Sequence, residues 1–323
     1  MQKAKVAFLT HYSEEDMRPM REVAPPELSV YHVDGHLPTE AKISLVRDAD
    51  FILPFPPGQL SVEVVKACRN LKLVQLVAAG WDQIDVKTIS SGLGIPVAHN
   101  GGSNATAVAE FAVTLMLNVY KRFIPLVKTL ADGKWVTDIW TSSHDLEGKT
   151  VGIVGLGNVG KKVAARVRGF NVKLLGCDVF DVPEQILKEI GIEKTTFETL
   201  LRESDIITLH VPLTPETRGF VGKKELAMMK SNAVLINTSR GPIVDEAALY
   251  EALRDRKIAG AGLDVLQQEP MAPDNPLKNL DNVIITAHAA SNTLDSRIRC
   301  ALFAFANMMR VLHGEEPVAV IKV

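Results

Sequence analysis

The sequence predicts an α/β protein made of two parallel-sheet units, the larger inserted into the smaller. Three observations predict it. Short, nearly continuous apolar runs alternate with helical periodicity along the chain, as expected of strands covered by helices on both faces. A run of mostly β-branched residues (Val151, Ile153, Val154) leads directly into Gly155-x-Gly157-x-x-Gly160 and a helical pattern. The 323 residues also exceed the about 100–200 of a typical domain.

In chain order, Val6–Leu9, Leu28–His32, Phe51–Leu53 and Leu73–Leu76 read as the strands of a first α/β unit. Pro54 to Gly58 follows the third of these and reads either as a loop over a ligand cleft, with Phe55 in it, or as a stiff turn. After Leu76, the small residues Ala78, Ala79 and Gly80 expose backbone N–H groups at the carboxyl end of a strand, where open α/β sheets bind ligands. Asp82 and Asp85 fit equally as caps of the next helix. Asn100 to Asn104 breaks the pattern, and a long helix, capped by Ser103 or Asn104, is predicted from Ala105 to about Ile124. It is apolar nearly all round, so it must be buried on more than one side. A subunit interface, giving a homodimer, is the reading adopted for the second side, with burial between the two units as the competitor. Trp140 lies in the polar connection that follows and is either a dimer anchor or a wall of the site.

The stretch Thr150 to Asp178 organises the larger unit. Gly155 permits a tight turn, Gly157 lets backbone approach a pyrophosphate, and Gly160 lets helix and strand pack closely. Leu156, Asn158 and Val159 fill the same turn, whose helix N-terminus would hold the pyrophosphate. Asp178, eighteen residues beyond Gly160, ends the second strand, where it can accept from a ribose 2′-OH and would repel a 2′-phosphate. Strands at Ile206–His210, Ala233–Asn237, Ala261–Val265 and Val283–Thr286 bring the total to six, the two-halved dinucleotide-binding fold. A single helix, about Leu294 to Leu312, then returns to the first unit. The expected division is 1–100 for the first part of the smaller domain, 101–287 for the dinucleotide domain with its interface helix, and 288–323 for the return.

Composition narrows the function classes. A net charge of -2 with scattered Lys and Arg argues against nucleic acid and against a polybasic membrane patch. No apolar run reaches the about 18–20 residues of a membrane span. Cys68, Cys177 and Cys300 are too dispersed for a disulfide framework or a metal site, and reduced thiols in a cytoplasm fit them. No metal is expected.

Polar groups follow the ends of four strands in the larger unit: His210-Val211-Pro212 to Thr217, Thr238-Ser239-Arg240-Gly241, Asp264 to Glu269-Pro270, and Ala287-His288-Ala289. Arg240 can present a planar fork to a carboxylate. Together with an imidazole and an acid it supplies what carbonyl reduction needs, a cation for the carboxylate and a proton donor.

With these motifs the chain resembles the D-isomer-specific 2-hydroxyacid dehydrogenase family over essentially its whole length. The resemblance implies a Rossmann dinucleotide-binding domain inserted into a smaller flavodoxin-like α/β substrate domain. It implies NAD as cofactor and a small 2-keto acid, glyoxylate or hydroxypyruvate, as substrate. Arg240 would bind the substrate carboxylate, His288 would be the acid/base and Glu269 would hold it protonated and oriented. Asp264 and the backbone from Thr238 to Arg240 would lie near the nicotinamide. Ala79 and Gly80 would offer N–H groups to the same carboxylate. The chain departs from the family pattern at Leu266, Gln267 and Ala287, beside the catalytic positions, and at Val77, where phosphoglycerate dehydrogenases commonly carry Arg. Oxidation of formate or phosphite, a phosphoglycerate dehydrogenase activity and an NADH-binding co-repressor are the competing readings.

Overall fold

β1 (Ala4–Thr10) is apolar from Val6 to Leu9 on both faces, so it can only sit inside a sheet covered on both sides. The computed structural model, which describes residues 3–135 and 141–322, places it there. The chain divides into two units, Met1–Asn104 with Asn292–Val323, and Ala105–Ser291.

The first unit pairs β1 with β2 (Leu28–Asp34) and β3 (Phe51–Phe55), and continues through β4 (Leu73–Gln75) to β5 (Val97–Ala98). Every pairing is parallel and the order is β2-β1-β3-β4-β5, the flavodoxin-like order expected. Its helices are α1 (Glu14–Glu22), α2 (Thr39–Val46), α3 (Val62–Lys66) and the chain's last helix, Leu294–Leu312. That last helix packs on α1 and β4 through Ala301, Ala304, Phe305 and Met308, so the return is an integral part of this core.

The second unit begins with α4 (Ala105–Tyr120) and α5 (Phe123–Ala131). Its strands are β6 (Thr150–Val154), β7 (Lys173–Cys177), β8 (Ile192–Lys194), β9 (Ile206–Leu209), β10 (Val234–Asn237), β11 (Gly260–Leu263) and β12 (Val283–Ile285). They pair in the order β12-β11-β10-β9-β6-β7-β8, all parallel, with the order of strand addition switching sides between β6 and β9. This is the dinucleotide-fold order with a seventh strand, because β8 adds to the six expected. Its three residues, two of them polar and exposed, are too short a run to stand out. The intervening helices are α6 (Asn158–Val167), α7 (Glu184–Ile190), α8 (Phe197–Glu203), α9 (Lys223–Met228) and α10 (Glu246–Arg254), which makes the last helix α11.

The long predicted helix is two helices. Arg122 takes a left-handed φ of 53°, and its guanidinium donates to the Asp281 carbonyl at 3.0 Å, which ends α4 and starts α5 on a new axis. α4 buries its apolar sides on α6 and on the sheet at β10 and β11. Gly262 makes room for it, since a Cβ there would lie 3.0 Å from the Leu115 Cβ. Ala109, Ala112, Val113, Leu115, Met116 and Tyr120 of α4 are buried in the second unit's core, whereas α5 leaves Phe123, Ile124, Val127 and Leu130 exposed. Ser103 does not cap α4; its hydroxyl donates to the Asn100 carbonyl at 2.7 Å. Asp85 does act as a cap, accepting from Thr88 N–H at 3.0 Å. Trp140 lies outside the described residues. Among those residues no helix is long and apolar enough to cross a membrane.

Candidate active site

The glycine turn follows β6 without a spare residue. Gly155 has φ 91°, and a Cβ there would lie 2.7 Å from the His210 carbonyl oxygen, so the turn closes against the end of β9. A Cβ on Gly160 would meet the Gly155 carbonyl oxygen at 1.9 Å, so α6 starts in backbone contact with the turn. At Gly157 a Cβ would meet nothing within 4 Å. The protein's own packing therefore does not require glycine at 157, and the space in front of it fits a phosphate group approaching the free N–H groups of α6. Asp178 sits one residue past β7 with its carboxylate turned to this loop, accepting from Leu156 N–H at 2.6 Å and Phe180 N–H at 2.9 Å. The two bonds hold the carboxylate in place, and its remaining lone pairs can take ribose hydroxyls.

The loop after β9 closes on itself. Thr217 donates its hydroxyl to the Pro212 carbonyl at 2.7 Å and accepts from Thr214 N–H at 2.7 Å. Thr217 thus shapes the Val211–Pro212 segment from within. His210 bonds Thr208 Oγ1 through Nε2 at 2.9 Å, and burial pushes its pKa down to about 3, so it is neutral at any physiological pH.

After β10, Asn237 builds the next turn. Its Oδ1 accepts from Ser239 N–H at 3.0 Å and Ser239 Oγ at 2.9 Å, and its Nδ2 donates to the Arg240 carbonyl at 2.9 Å. Sequence reasoning passed over Asn237, although an Asn two residues ahead of a tight turn is an Asx-turn signal. Thr238 Oγ1 is buried and has no hydrogen-bond partner, an orphan that a bound group would satisfy. Arg240 is half-buried and Gly241 lies flat on the next loop: a Cβ there would sit 1.9 Å from the Leu266 carbonyl carbon and oxygen.

Asp264, 1% exposed, holds the loop that carries the histidine. Its carboxylate accepts from Thr286 Oγ1 at 2.7 Å, Ala289 N–H at 2.8 Å and Ala290 N–H at 2.9 Å, while its carbonyl accepts from His288 N–H at 2.8 Å. Asp264, which the resemblance places near the nicotinamide, has its carboxylate engaged by protein donors. His288 has φ 51°, a left-handed conformation that costs on the order of 1 kcal/mol and is sustained by these four bonds. Held this way, His288 Nδ1 meets Glu269 Oε2 at 2.7 Å. Glu269 Oε1 accepts from Leu266 N–H at 3.0 Å. Burial pushes the Glu269 carboxyl up, but the hydrogen bond and charge of His288, the Leu266 N–H and the charge of Arg240 together hold it below its ordinary value.

Arg240, Glu269 and His288 thus share one end of the second unit's sheet, linked by Gly241 lying on Leu266 and by Leu266 bonding Glu269. In the first unit, Ala78, Ala79 and Gly80 follow β4, and the Ala78 carbonyl accepts from Asn100 N–H at 3.1 Å. No group of His, Cys, Asp and Glu able to hold a metal occurs among the described residues.

Comparison with known proteins adds four findings. Residues 113–290 match the family model for the D-isomer specific 2-hydroxyacid dehydrogenase, NAD binding domain. A glyoxylate reductase of Korarchaeum cryptofilum is 38% identical over 294 residues, covering 90% of this chain and 88% of that one. A D-3-phosphoglycerate dehydrogenase of Archaeoglobus fulgidus is 38% identical over 256 residues, which is 79% of this chain but 48% of that one. Among solved structures, the NAD-complexed D-isomer specific 2-hydroxyacid dehydrogenase of Lactobacillus delbrueckii ssp. bulgaricus aligns with a TM-score of 0.83 at 27% identity, covering 98% of this chain and all of that one.

Proposed function

Because the chain belongs to the D-isomer specific 2-hydroxyacid dehydrogenase family, and is an NAD-dependent oxidoreductase, we propose that it reduces a small 2-keto acid of the glyoxylate or hydroxypyruvate kind. The observation that carries the reading is the His288–Glu269 contact at 2.7 Å in a loop fastened to the Arg240 turn. The Gly155–Gly160 turn and Asp178 would hold NADH, and the bound nicotinamide would supply the hydride for the carbonyl carbon. Arg240 binds the substrate carboxylate and polarises the adjacent carbonyl. His288, its Nδ1 fixed by Glu269, delivers the proton on Nε2 to the carbonyl oxygen, and in the reverse direction takes it back. Thr238, Ser239 and the segment His210–Pro212 line the cofactor.

A non-phosphorylated substrate is favoured by Val77, which is buried and apolar at the place where phosphoglycerate dehydrogenases commonly carry Arg. Burial pushes the thiol of Cys68 up to about 11 and that of Cys177 up to about 12, so both stay protonated and poorly reactive, in keeping with a reducing cytoplasm. The exposed apolar side of α5, Phe123, Ile124, Val127 and Leu130, suits burial against a second copy. Light scattering should give a dimer mass, and a monomer mass at every concentration would remove this part of the reading.

The deciding experiment is NADH oxidation against a panel of 2-keto acids. Turnover is expected with glyoxylate or hydroxypyruvate and not with 3-phosphohydroxypyruvate as the preferred substrate. Folded, NADH-binding protein that turns over none of the panel would overturn the proposal. The fixed Asp178 carboxylate predicts that NADPH is the poorer cofactor, and equal kcat/KM for NADPH and NADH would refute that role.

Glu269→Gln gives a pH test whose sign follows from the pair. The Glu269 carboxylate is stabilised by His288, so the attraction equally favours the charged imidazole. Removing the negative charge takes away the partner of the proton required for reduction, and the alkaline limb of the pH–rate profile should move to lower pH. A limb that stays in place contradicts the pairing.

A further inference from the structure

We propose that Glu246 is a positioning residue for the Glu269–His288 pair, an inference that rests on the reduction assigned above. Glu246 is the first residue of α10, but the helix start does not depend on it. Asp245 is the cap, accepting from Ala247 and Ala248 N–H groups at 3.1 Å each. The Glu246 carboxylate reaches out of the helix instead. Its Oε2 accepts from Gln267 N–H at 2.9 Å and its Oε1 from Asn275 Nδ2 at 2.7 Å.

These two donors flank Glu269 in the chain, one on each side. Neither can be turned round. A backbone N–H has no alternative, and the buried Asn275 amide is fixed because its Oδ1 already accepts from Leu277 N–H at 3.0 Å. Glu246 therefore faces two obligatory donors, each on its own carboxylate oxygen, where an amide offers one oxygen and sets an NH₂ against the other donor.

The peptide it grips is the one on which the site's parts converge. Leu266 N–H donates to Glu269 Oε1, Gln267 N–H donates to Glu246, and Gly241, next to Arg240, lies against Leu266 so closely that a Cβ would come within 1.9 Å of its carbonyl carbon. Each of the two glutamates is thus held by a backbone amide, and the two amides are consecutive. Glu246 fixes the height of this peptide over the Arg240 turn and, through it, the reach of Glu269 to His288. The charged groups around the Glu269 carboxylate are His288 and Arg240. Glu246 acts on the pair through the backbone, without touching substrate or cofactor.

The test is Glu246→Gln with a designed rescue. The glutamine amide sets an N–H donor against one of the two donors, so the loop loses an anchor. Turnover should fall by about 10–10²-fold, the cost typical of a misplacement near 1 Å, and the alkaline limb should move to lower pH, with NADH affinity unchanged. In Glu246→Gln/Asn275→Asp, the introduced glutamine can accept from Gln267 N–H and donate to the new carboxylate, which still accepts from Leu277 N–H. The double variant should regain most of the turnover and the position of the limb. A wild-type limb in Glu246→Gln overturns the proposal. So does a folded, NADH-binding double variant no better than the single one. The His288 Nδ1–H resonance, observed by NMR in the protein without substrate, reads the contact with Glu269 independently of activity. It should lose its downfield position in the single variant and regain it in the double. If wild-type protein reduces no 2-keto acid, the functional reading fails, while this resonance still decides whether Glu246 positions the pair.

Discussion

His288→Ala is expected to lower 2-keto acid turnover by about 10²–10⁴-fold, the range for a lost general acid, with NADH affinity retained. The variant isolates the imidazole because the loop does not depend on it. Asp264 holds the backbone through His288 N–H, Ala289 N–H and Ala290 N–H, none of which is removed by the substitution. What alanine does lose is ease in the left-handed φ of 51°, so a small drop in thermal midpoint should accompany the kinetic effect. His288→Asn separates the two, since asparagine tolerates that backbone conformation but carries no proton to deliver near neutral pH. Its turnover should fall as far as that of the alanine variant, with the thermal midpoint closer to wild type. Turnover in His288→Asn within a few-fold of wild type would remove His288 from the acid/base role and leave Arg240 as the remaining source of carbonyl polarisation.

Where the chain carries long apolar runs, pattern and structure coincide: β1, β6, β9 and β10 are buried over nearly their whole length because both faces of each sheet are covered. Legibility fails where the run is short. β5 has two residues, Val97 and Ala98, bonded by β4 and by the 319–321 segment, and β8 has three, paired with β7. The break after Tyr120 has a local sign in Pro125, which cannot donate to Lys121 and sits in the first turn of α5, whereas the contact of Arg122 with Asp281, far along the chain, has none. The site shows the same division. Glycines, Arg, Glu and His announce themselves by type and order, and Asn237 acts within its own turn, whereas Glu246 and the carboxylate bonds of Asp264 act through loops that meet only after folding. Thr217 marks the boundary between the two, a residue visible in a motif whose hydroxyl is used to shape its own loop.

The glycine turn yields the second large effect, and it separates binding from folding. Gly160→Ala would put a methyl carbon 1.9 Å from the Gly155 carbonyl oxygen, a backbone atom that cannot move unless α6 slides away from β6. Overpacking of this kind costs about 1–3 kcal/mol or more, so thermal stability and NADH binding should fall together. Gly157→Ala should behave differently. Its φ of -74° and ψ of -155° suit alanine, and the new methyl meets no protein atom within 4 Å, so the thermal midpoint should hardly change. That open space is the room assigned to the pyrophosphate, and the methyl would occupy it in front of the N–H groups of α6. NADH affinity should drop at least about tenfold, equivalent to about 1.4 kcal/mol, in a protein that is otherwise as stable as wild type. Titration of NADH fluorescence alongside thermal unfolding of the two variants measures both quantities. If Gly157→Ala binds NADH as well as wild type, the pyrophosphate does not approach the turn at that residue, and the free N–H groups of α6 lose their assigned ligand.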